Sequence, residues 1–176
     1  MVLGLFLLFY FSGYQPTLAI PPIKQTFARA EFSQEQIIQT SSFKDPFILP
    51  HPGYISTGYS KRHPGLDIAT GLGMPIHPIN SGKVVAIDYG MFFGLGHSVV
   101  VEHEQGIRST YGHMGRIFVK KNDLVTQNSI LGEVGLTGQT SGPHTHLEVT
   151  KNGQYTDPQL ILPKLPPLQL SPSVRP

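Results

Sequence analysis

The sequence predicts an all-β domain in which antiparallel hairpins form a small barrel-like or sandwich core. Between residues 47 and 163, short β-branched runs alternate with glycine-containing turns at a spacing typical of hairpins. The 19 glycines and 16 prolines of the chain favour turns over helices. Strands do not alternate with helical patterns, which argues against a parallel, Rossmann-like sheet.

The predicted strands follow one another along the chain. They lie in the runs GYISTGY, GKVVAIDYG, GHSVVVEHE, IRSTYGHM, SILGEVG and HTHLEVTKNG. Residues 104–106 and 151–153 are expected to form hairpin turns, and the second contains the Asn152-Gly153 pair that is typical of tight turns. No helix of ordinary length is required between residues 47 and 163.

The ends of the chain differ in composition from this domain. The apolar run from Val2 to Phe11 has the length of a signal-peptide core and is short for a membrane span, although the usual basic residues before it are missing. We interpret residues 1–20 as an export signal or membrane anchor and residues 21–46 as a linker. Residues 47–163 form the predicted domain, and the Pro-rich residues 164–176 are predicted to be a disordered tail.

Composition narrows the chemistry that the chain can perform. A formal net charge of +2, from scattered basic residues, gives no electrostatic case for nucleic-acid binding. The chain has no cysteine, so a metal site would have to use histidine, aspartate or glutamate. Eight histidines make such a site worth seeking.

Two short patterns could supply its ligands. His144 and His146 are one residue apart, and on a strand they would point to the same face. His63 and Asp67 have helical spacing, but Pro64-Gly65 between them disfavours a helix and favours a turn that leads into a strand.

A catalytic zinc site uses three protein ligands with nitrogen or oxygen donors and leaves a position for water. His63, Asp67 and one histidine of the 144/146 pair would meet this need. His113, predicted near a strand end, and the other histidine of the pair would then be free for proton transfer or oxyanion stabilisation. The arrangement fits metal-assisted hydrolysis, but these residues alone do not decide which histidine of the pair is the ligand.

Three segments carry a resemblance to a known family. HPGLD, STYGHM and TGQTSGPHTHLEV resemble, in order and spacing, the signature segments of the lysostaphin/LytM-type zinc metalloendopeptidases, which cut peptide bonds in bacterial peptidoglycan. The resemblance covers roughly residues 50–160. It implies the small β core of that family, a duplicated hybrid motif, with zinc in a groove across a sheet.

The resemblance also assigns roles to residues. It implies one zinc ion per chain, held by His63, Asp67 and His146. It makes His113 and His144 the catalytic histidines, which act on the attacking water and on the developing oxyanion. It implies that the substrate is a peptidoglycan peptide, and it leaves open which bond is cut. The apolar N-terminal segment predicts that the protein is exported, and we expect a monomer.

Some positions depart from the family pattern or lie outside its site. Asn122 and Asn128 stand in turns where glycine is frequent, a mild change because asparagine tolerates left-handed backbone. The loop of residues 88–96, with an apolar segment at 91–93, is expected to contact substrate. Four histidines are expected to be structural or solvent-exposed: His51, His77, His97 and His103.

Two alternatives belong to other classes of protein. A non-catalytic wall-binding or hydrolase-activating module of the same fold would have lost a metal ligand, whereas this chain retains all three. A lipoyl or biotinyl carrier would present a lysine at a hairpin tip in a specific context, and Lys151 lacks that context. A phosphocarrier would have little use for the carboxylate ligand or for an export signal.

Overall fold

The computed structural model describes residues 43–165, which form an almost entirely antiparallel β structure. The ten strands are β1 (Tyr54–Thr57), β2 (Leu66–Ala69), β3 (Pro75–Ile76), β4 (Gly82–Tyr89), β5 (His97–Glu102), β6 (Ile107–Ile117), β7 (Leu124–Val125), β8 (Gly132–Val134), β9 (His144–Lys151) and β10 (Gln154–Thr156). Within residues 43–165 the helical segments are two single 3₁₀ turns, Glu104–Gly106 and Pro158–Leu160. The predicted fold class is confirmed, and the sheet is not closed.

The strand order places sequence-distant segments side by side. The main path through the sheet is β1-β2-β9-β6-β5-β4-β7, with β8 joined to β3 and β6, and β10 joined to β9. Strand β9 is central, because β6 pairs with one of its edges while β2 and β10 follow one another along the other. The β2–β9 pairing brings the HPGLD segment onto the strand that contains the two closely spaced histidines.

The predicted hairpin turns are confirmed. Gln105 and Gly106 adopt positive φ values of 57° and 72° between β5 and β6, and Asn152 and Gly153 adopt 52° and 81° between β9 and β10. Positive φ at both central residues matches the right-handed twist of the flanking strands. Asn122 also has a positive φ, of 78°, whereas Asn128 is absent from the positive-φ residues of the described chain.

A buried polar chain crosses the core behind β6. Tyr111 is fully buried, and its hydroxyl accepts a hydrogen bond from the Ile79 backbone N–H at 2.8 Å and shares a second with Ser109 Oγ, also at 2.8 Å. His103 Nε2 lies 2.7 Å from the same Ser109 hydroxyl, and its Nδ1–H donates to the Ser81 carbonyl at 2.9 Å. The hydrophobic core that contains Tyr111 also includes Ile68, Ile76, Val84, Val99, Val101, Met114, Leu131, Leu147 and Val149.

Several expectations concern the ends of the chain. Residues 1–42 and 166–176 lie outside the described residues, so the predicted export signal or membrane anchor, most of the predicted linker and most of the predicted tail lie outside them too. The last part of the predicted linker contacts the domain: the Phe43 and Phe47 rings meet edge to face at 4.8 Å, and Asn80 Nδ2–H donates to the Asp45 carbonyl at 3.0 Å. Within residues 43–165, no helix has the length and apolar character needed to cross a membrane.

The Tyr111 hydroxyl leads to a stability prediction. Replacement of Tyr111 by phenylalanine would leave the buried N–H of Ile79 without its partner, so we expect a loss of about 1–3 kcal/mol in the free energy of unfolding. Denaturant-induced unfolding followed by circular dichroism measures this loss. Tyr89→Phe, at an exposed residue, is the matched control and should leave the unfolding midpoint unchanged. Equal midpoints for both variants would contradict the structural role of the Tyr111 hydroxyl.

Candidate metal centre and catalytic groove

Asp67 and His146 form the centre of the site. They lie directly opposite one another in the β2–β9 ladder, and Asp67 Oδ1 is 2.7 Å from His146 Nδ1. Both are buried, with exposed fractions of 8% and 6%. Because alternate residues of a strand share a face, the register that puts Leu66 and Leu147 in the core turns Asp67 and His146 towards the groove.

His63 joins this pair from the loop before β2. Its backbone exchanges two hydrogen bonds with Ser60, at 2.8 and 3.1 Å, which forms an isolated bridge. The chain then turns through Pro64-Gly65 into β2, as the sequence predicts. His63 Nε2 lies 3.1 Å from Asp67 Oδ1, and the potential ligand atoms of His63, Asp67 and His146 all lie within 4.8 Å of one another.

The charges of this cluster are strongly coupled. Burial by itself would raise the pKa of Asp67, but the hydrogen bond from His146 and the neighbouring imidazoles outweigh burial and lower it. For His146 the directions are reversed: burial by itself would lower its pKa, but the hydrogen bonds to Asp67 and Glu148 outweigh burial and raise the pKa to about 9. The contact between Asp67 and His146 therefore favours an ionised carboxylate and a protonated imidazole.

His144 lies two residues before His146 and faces the same groove. Its Nδ1–H donates to the Gly142 carbonyl at 2.9 Å, so the Nε2 atom points into the site, 3.5 Å from Asp67 Oδ1. The Gly142-Pro143 turn therefore supplies the acceptor that fixes the orientation of the ring. The expectation that His144 and His146 share a face is confirmed.

His113 occupies an irregularity in the middle of β6. Tyr111 and Met114 are three positions apart in β6, whereas their partners in β5, Val99 and His97, are two positions apart. The extra residue is a β-bulge, and His113 within it has a positive φ of 59°. The prediction that His113 lies near a strand end is wrong, because β6 continues past the bulge to pair with β8.

The bulge directs the His113 side chain towards the other histidines. Its ring centroid lies 4.7 Å from that of His144 and 5.9 Å from that of His146. Its Nδ1–H donates to the Thr137 carbonyl at 2.9 Å, which leaves the Nε2 atom free. Burial lowers the pKa of His113 and outweighs the opposing hydrogen bond to Thr137, so the ring is neutral at pH 7.

The five predicted site residues line one open groove of about 360 Å³. Arg62 borders the groove beside His63, while Gly94, Leu95 and the segment 139–141 also line it. Met91, Phe92 and Phe93, in the loop before Leu95, are exposed, Phe92 and Phe93 to 78% and 87%. Backbone hydrogen bonds from Gly138 N–H to Met91 O and from Gln139 N–H to Gly94 O hold this loop against the segment after β8.

The four remaining histidines lie outside this groove. His51 is buried, with Nε2 2.7 Å from Thr145 Oγ1, and His103 belongs to the buried polar chain. His97 Nδ1–H donates to the Gly115 carbonyl at 2.8 Å, and His77 is half-buried. The contacts of His51, His97 and His103 fit the structural role expected for them, whereas the buried Nδ1 atom of His77 has no hydrogen-bond partner among residues 43–165.

The sequence reasoning missed the groups that orient the site. The imidazoles of three site histidines donate hydrogen bonds to backbone carbonyls: His63 to Gly58, His113 to Thr137 and His144 to Gly142. No pattern of side chains in the sequence could have shown these backbone acceptors. Glu148 was also missed, although its position in the same alternation as His144 and His146 places it on the groove face.

Known proteins are similar to this chain in both sequence and fold. Residues 61–158 match the model of Peptidase family M23. The chain is 34% identical over 101 residues to peptidoglycan DD-endopeptidase ShyB of Vibrio cholerae, which covers 57% of this chain and 23% of ShyB. It is 31% identical over 99 residues to lysostaphin of Staphylococcus simulans, which covers 56% of this chain and 20% of lysostaphin. The match thus spans less than a quarter of either relative.

A solved structure gives the same result for the fold. A zinc-containing peptidase from Vibrio cholerae superimposes with a TM-score of 0.61 and 28% sequence identity, covering 69% of this chain and 41% of that one. The family match includes every residue of the site from His63 to Glu148. The chain belongs to peptidase family M23.

Proposed function

We propose that this chain is a zinc-dependent endopeptidase that hydrolyses peptide bonds in bacterial cell-wall peptidoglycan. The observation that carries the proposal is the cluster of His63, Asp67 and His146, whose ligand atoms lie within 4.8 Å of one another, with two further imidazoles beside it. Membership of family M23 and the names of its relatives, peptidoglycan DD-endopeptidases among them, support the substrate class.

The cluster fits a zinc ion on chemical grounds. His63 Nδ1–H donates to the Gly58 carbonyl at 3.0 Å, so in the neutral ring Nε2 carries a lone pair, which points at the Asp67 carboxylate. Two electron-rich atoms that face each other at 3.1 Å repel, and a cation between them converts the repulsion into attraction. Two imidazole nitrogens and one carboxylate oxygen form a donor set typical of catalytic zinc.

Steric fit around His146 supports the same assignment. A Cβ atom on Gly65 would lie 2.5 Å from His146 Nε2 and 2.6 Å from Cε1, so only glycine leaves room for the ring in this position. The Pro64-Gly65 turn thus both delivers His63 and admits His146.

We assign the proton transfers to His113 and His144. A bound zinc ion supplies a Lewis acid that polarises the scissile carbonyl and favours the deprotonation of water. His113 and His144 each present an Nε2 atom to the groove while a backbone carbonyl holds the Nδ1 proton. One imidazole, neutral with a lone pair at Nε2, can accept the proton of the attacking water and deliver it to the leaving amine. The other can stabilise the oxyanion when it is protonated at Nε2 and donates a hydrogen bond from that atom.

We further propose that the protein acts outside the cytoplasm as a monomer. The proposed substrate, peptidoglycan, lies in the cell envelope. The apolar N-terminal segment is consistent with export to the envelope or with anchoring there. The exposed residues Met91, Phe92 and Phe93 would provide apolar contacts for the peptide.

Substitution of the site residues distinguishes those that bind zinc from those that act only in catalysis. We expect purified wild-type chain to contain about one zinc. His146→Ala should lose it, whereas His113→Ala should retain it and lose activity by about 100-fold or more. Zinc is measured by elemental analysis and activity by mass spectrometry of peptidoglycan fragments, which also identifies the bond cut. His77→Ala, outside the groove, is the control and should retain both.

Two results would contradict this division of roles. Loss of zinc from both His113→Ala and His146→Ala would make His113 a ligand. Zinc-loaded wild-type protein that leaves peptidoglycan intact would instead favour a non-catalytic module of the same fold.

The glycine at position 65 provides a steric test. Gly65→Ala should push the His146 ring out of place and weaken zinc binding by about tenfold or more. Gly71→Ala is the matched control, because a Cβ there meets nothing within 4 Å. Competition titration with a chromophoric chelator measures both affinities, and equal values for the two variants would argue against His146 as a ligand.

Zinc binding should also depend on pH. His146 has a pKa of about 9 without metal, so below that pH zinc must displace one proton to reach Nδ1. The apparent affinity should therefore rise about tenfold per pH unit between pH 6 and pH 8 and level off above pH 9. Calorimetry in buffers of different ionisation enthalpy counts the released protons, and an affinity independent of pH over this range would contradict the prediction.

A further inference from the structure

Glu148 is a carboxylate on the groove face of β9 to which the proposed chemistry gives no role. It follows His146 by two residues, so the alternation of the strand places both side chains on one face. Its side chain is only 13% exposed, and Oε1 lies 3.4 Å from His146 Nε2. A carboxylate that is this well covered requires a partner, and His146 supplies one.

Glu148 contacts the potential ligand His146 but is not itself one of the three potential metal ligands. The potential ligand atoms within 4.8 Å of one another belong to His63, Asp67 and His146. Asp67 contacts the Nδ1 atom of His146, whereas Glu148 contacts Nε2, the other nitrogen of the ring. Glu148 therefore approaches His146 from the side of the ring that faces away from Asp67.

This arrangement matters because an imidazole nitrogen can bind a metal only after it has lost its proton. If His146 is to bind through Nδ1, its remaining proton must stay on Nε2, and an acceptor at Nε2 favours that tautomer. His63 meets the same requirement in the opposite sense, since its Nδ1–H donates to the Gly58 carbonyl and Nε2 faces Asp67. Each histidine ligand thus has an acceptor behind it.

Strand β10 brings Tyr155 near Glu148. Burial raises the pKa of Tyr155, and the charge of the Glu148 carboxylate raises it further. The β9–β10 hairpin brings these residues together, with Tyr155 opposite Thr150 in the ladder.

We propose that Glu148 is a positioning residue that accepts a hydrogen bond from the Nε2–H of His146 and so presents Nδ1 to zinc. The inference rests on the proposed function. A simple ion pair between Glu148 and a protonated His146 would instead stabilise the metal-free protein in competition with zinc, so Glu148→Ala would then not weaken zinc binding.

Zinc affinity of the full-length chain distinguishes these two roles. Glu148→Ala should weaken zinc binding by about 10–100-fold in competition with a chromophoric chelator. Glu148→Gln should recover most of the loss, because its amide oxygen can still accept the Nε2 proton. Glu102→Ala removes an exposed carboxylate that pairs with Arg108 away from the groove, and it should bind zinc as the wild type does. Thermal melts of the metal-free variants establish that each is folded.

Long-range proton–nitrogen NMR correlations provide a second readout on the zinc-loaded protein. The His146 proton should reside on Nε2 in the wild type, and its signal should change in Glu148→Ala. A proton on Nδ1, unchanged zinc affinity in Glu148→Ala, or a loss in Glu148→Gln as large as in Glu148→Ala would each overturn the positioning role. A wild-type chain that binds no zinc would overturn the proposed function as well, so the two failures are distinguishable.

Discussion

The contact between the Asp67 carboxylate and the His146 imidazole is the constraint on which the site depends. It joins residues 79 positions apart, and both are buried. A buried carboxylate is costly without partners, so the contact requires β2 and β9 to pair in one register. A slip of one residue would turn Asp67 into the core and Ile68 into the groove. The same pairing therefore determines both the packing of the sheet and the composition of the site.

Strand β9 combines the two roles in alternating residues. Thr145, Leu147 and Val149 are fully buried on the core side, while His144, His146 and Glu148 line the groove. A site built on a central, fully paired strand is held more rigidly than one built on loops. The orienting groups, in contrast, are mostly carbonyls at turns next to the strands.

The sequence was sufficient for the fold class, the two hairpin turns and the shared face of His144 and His146, because these follow from local alternation and turn chemistry. The choice between His144 and His146 as a ligand came only from the family resemblance. His113 was misplaced because a bulge is defined by the residues opposite it, which local patterns do not reveal. The β2–β9 pairing and the carbonyl partners of the imidazoles likewise arise only when distant segments meet. Glu148 could have been found, since it obeys the same period of two.

The bulge at His113 has a consequence for how such a protein can change over time. Tyr111 and Met114 are an odd number of residues apart, yet both are fully buried in one core, because the extra residue restores the phase of β6 beyond it. Deletion of His113 would exchange the core-facing and outward-facing residues in the rest of β6, whereas its replacement by another residue preserves the alternation of the two faces. Descendants of this chain can therefore lose the imidazole by substitution and retain the architecture, so loss of the role proposed for His113 would not require loss of the fold.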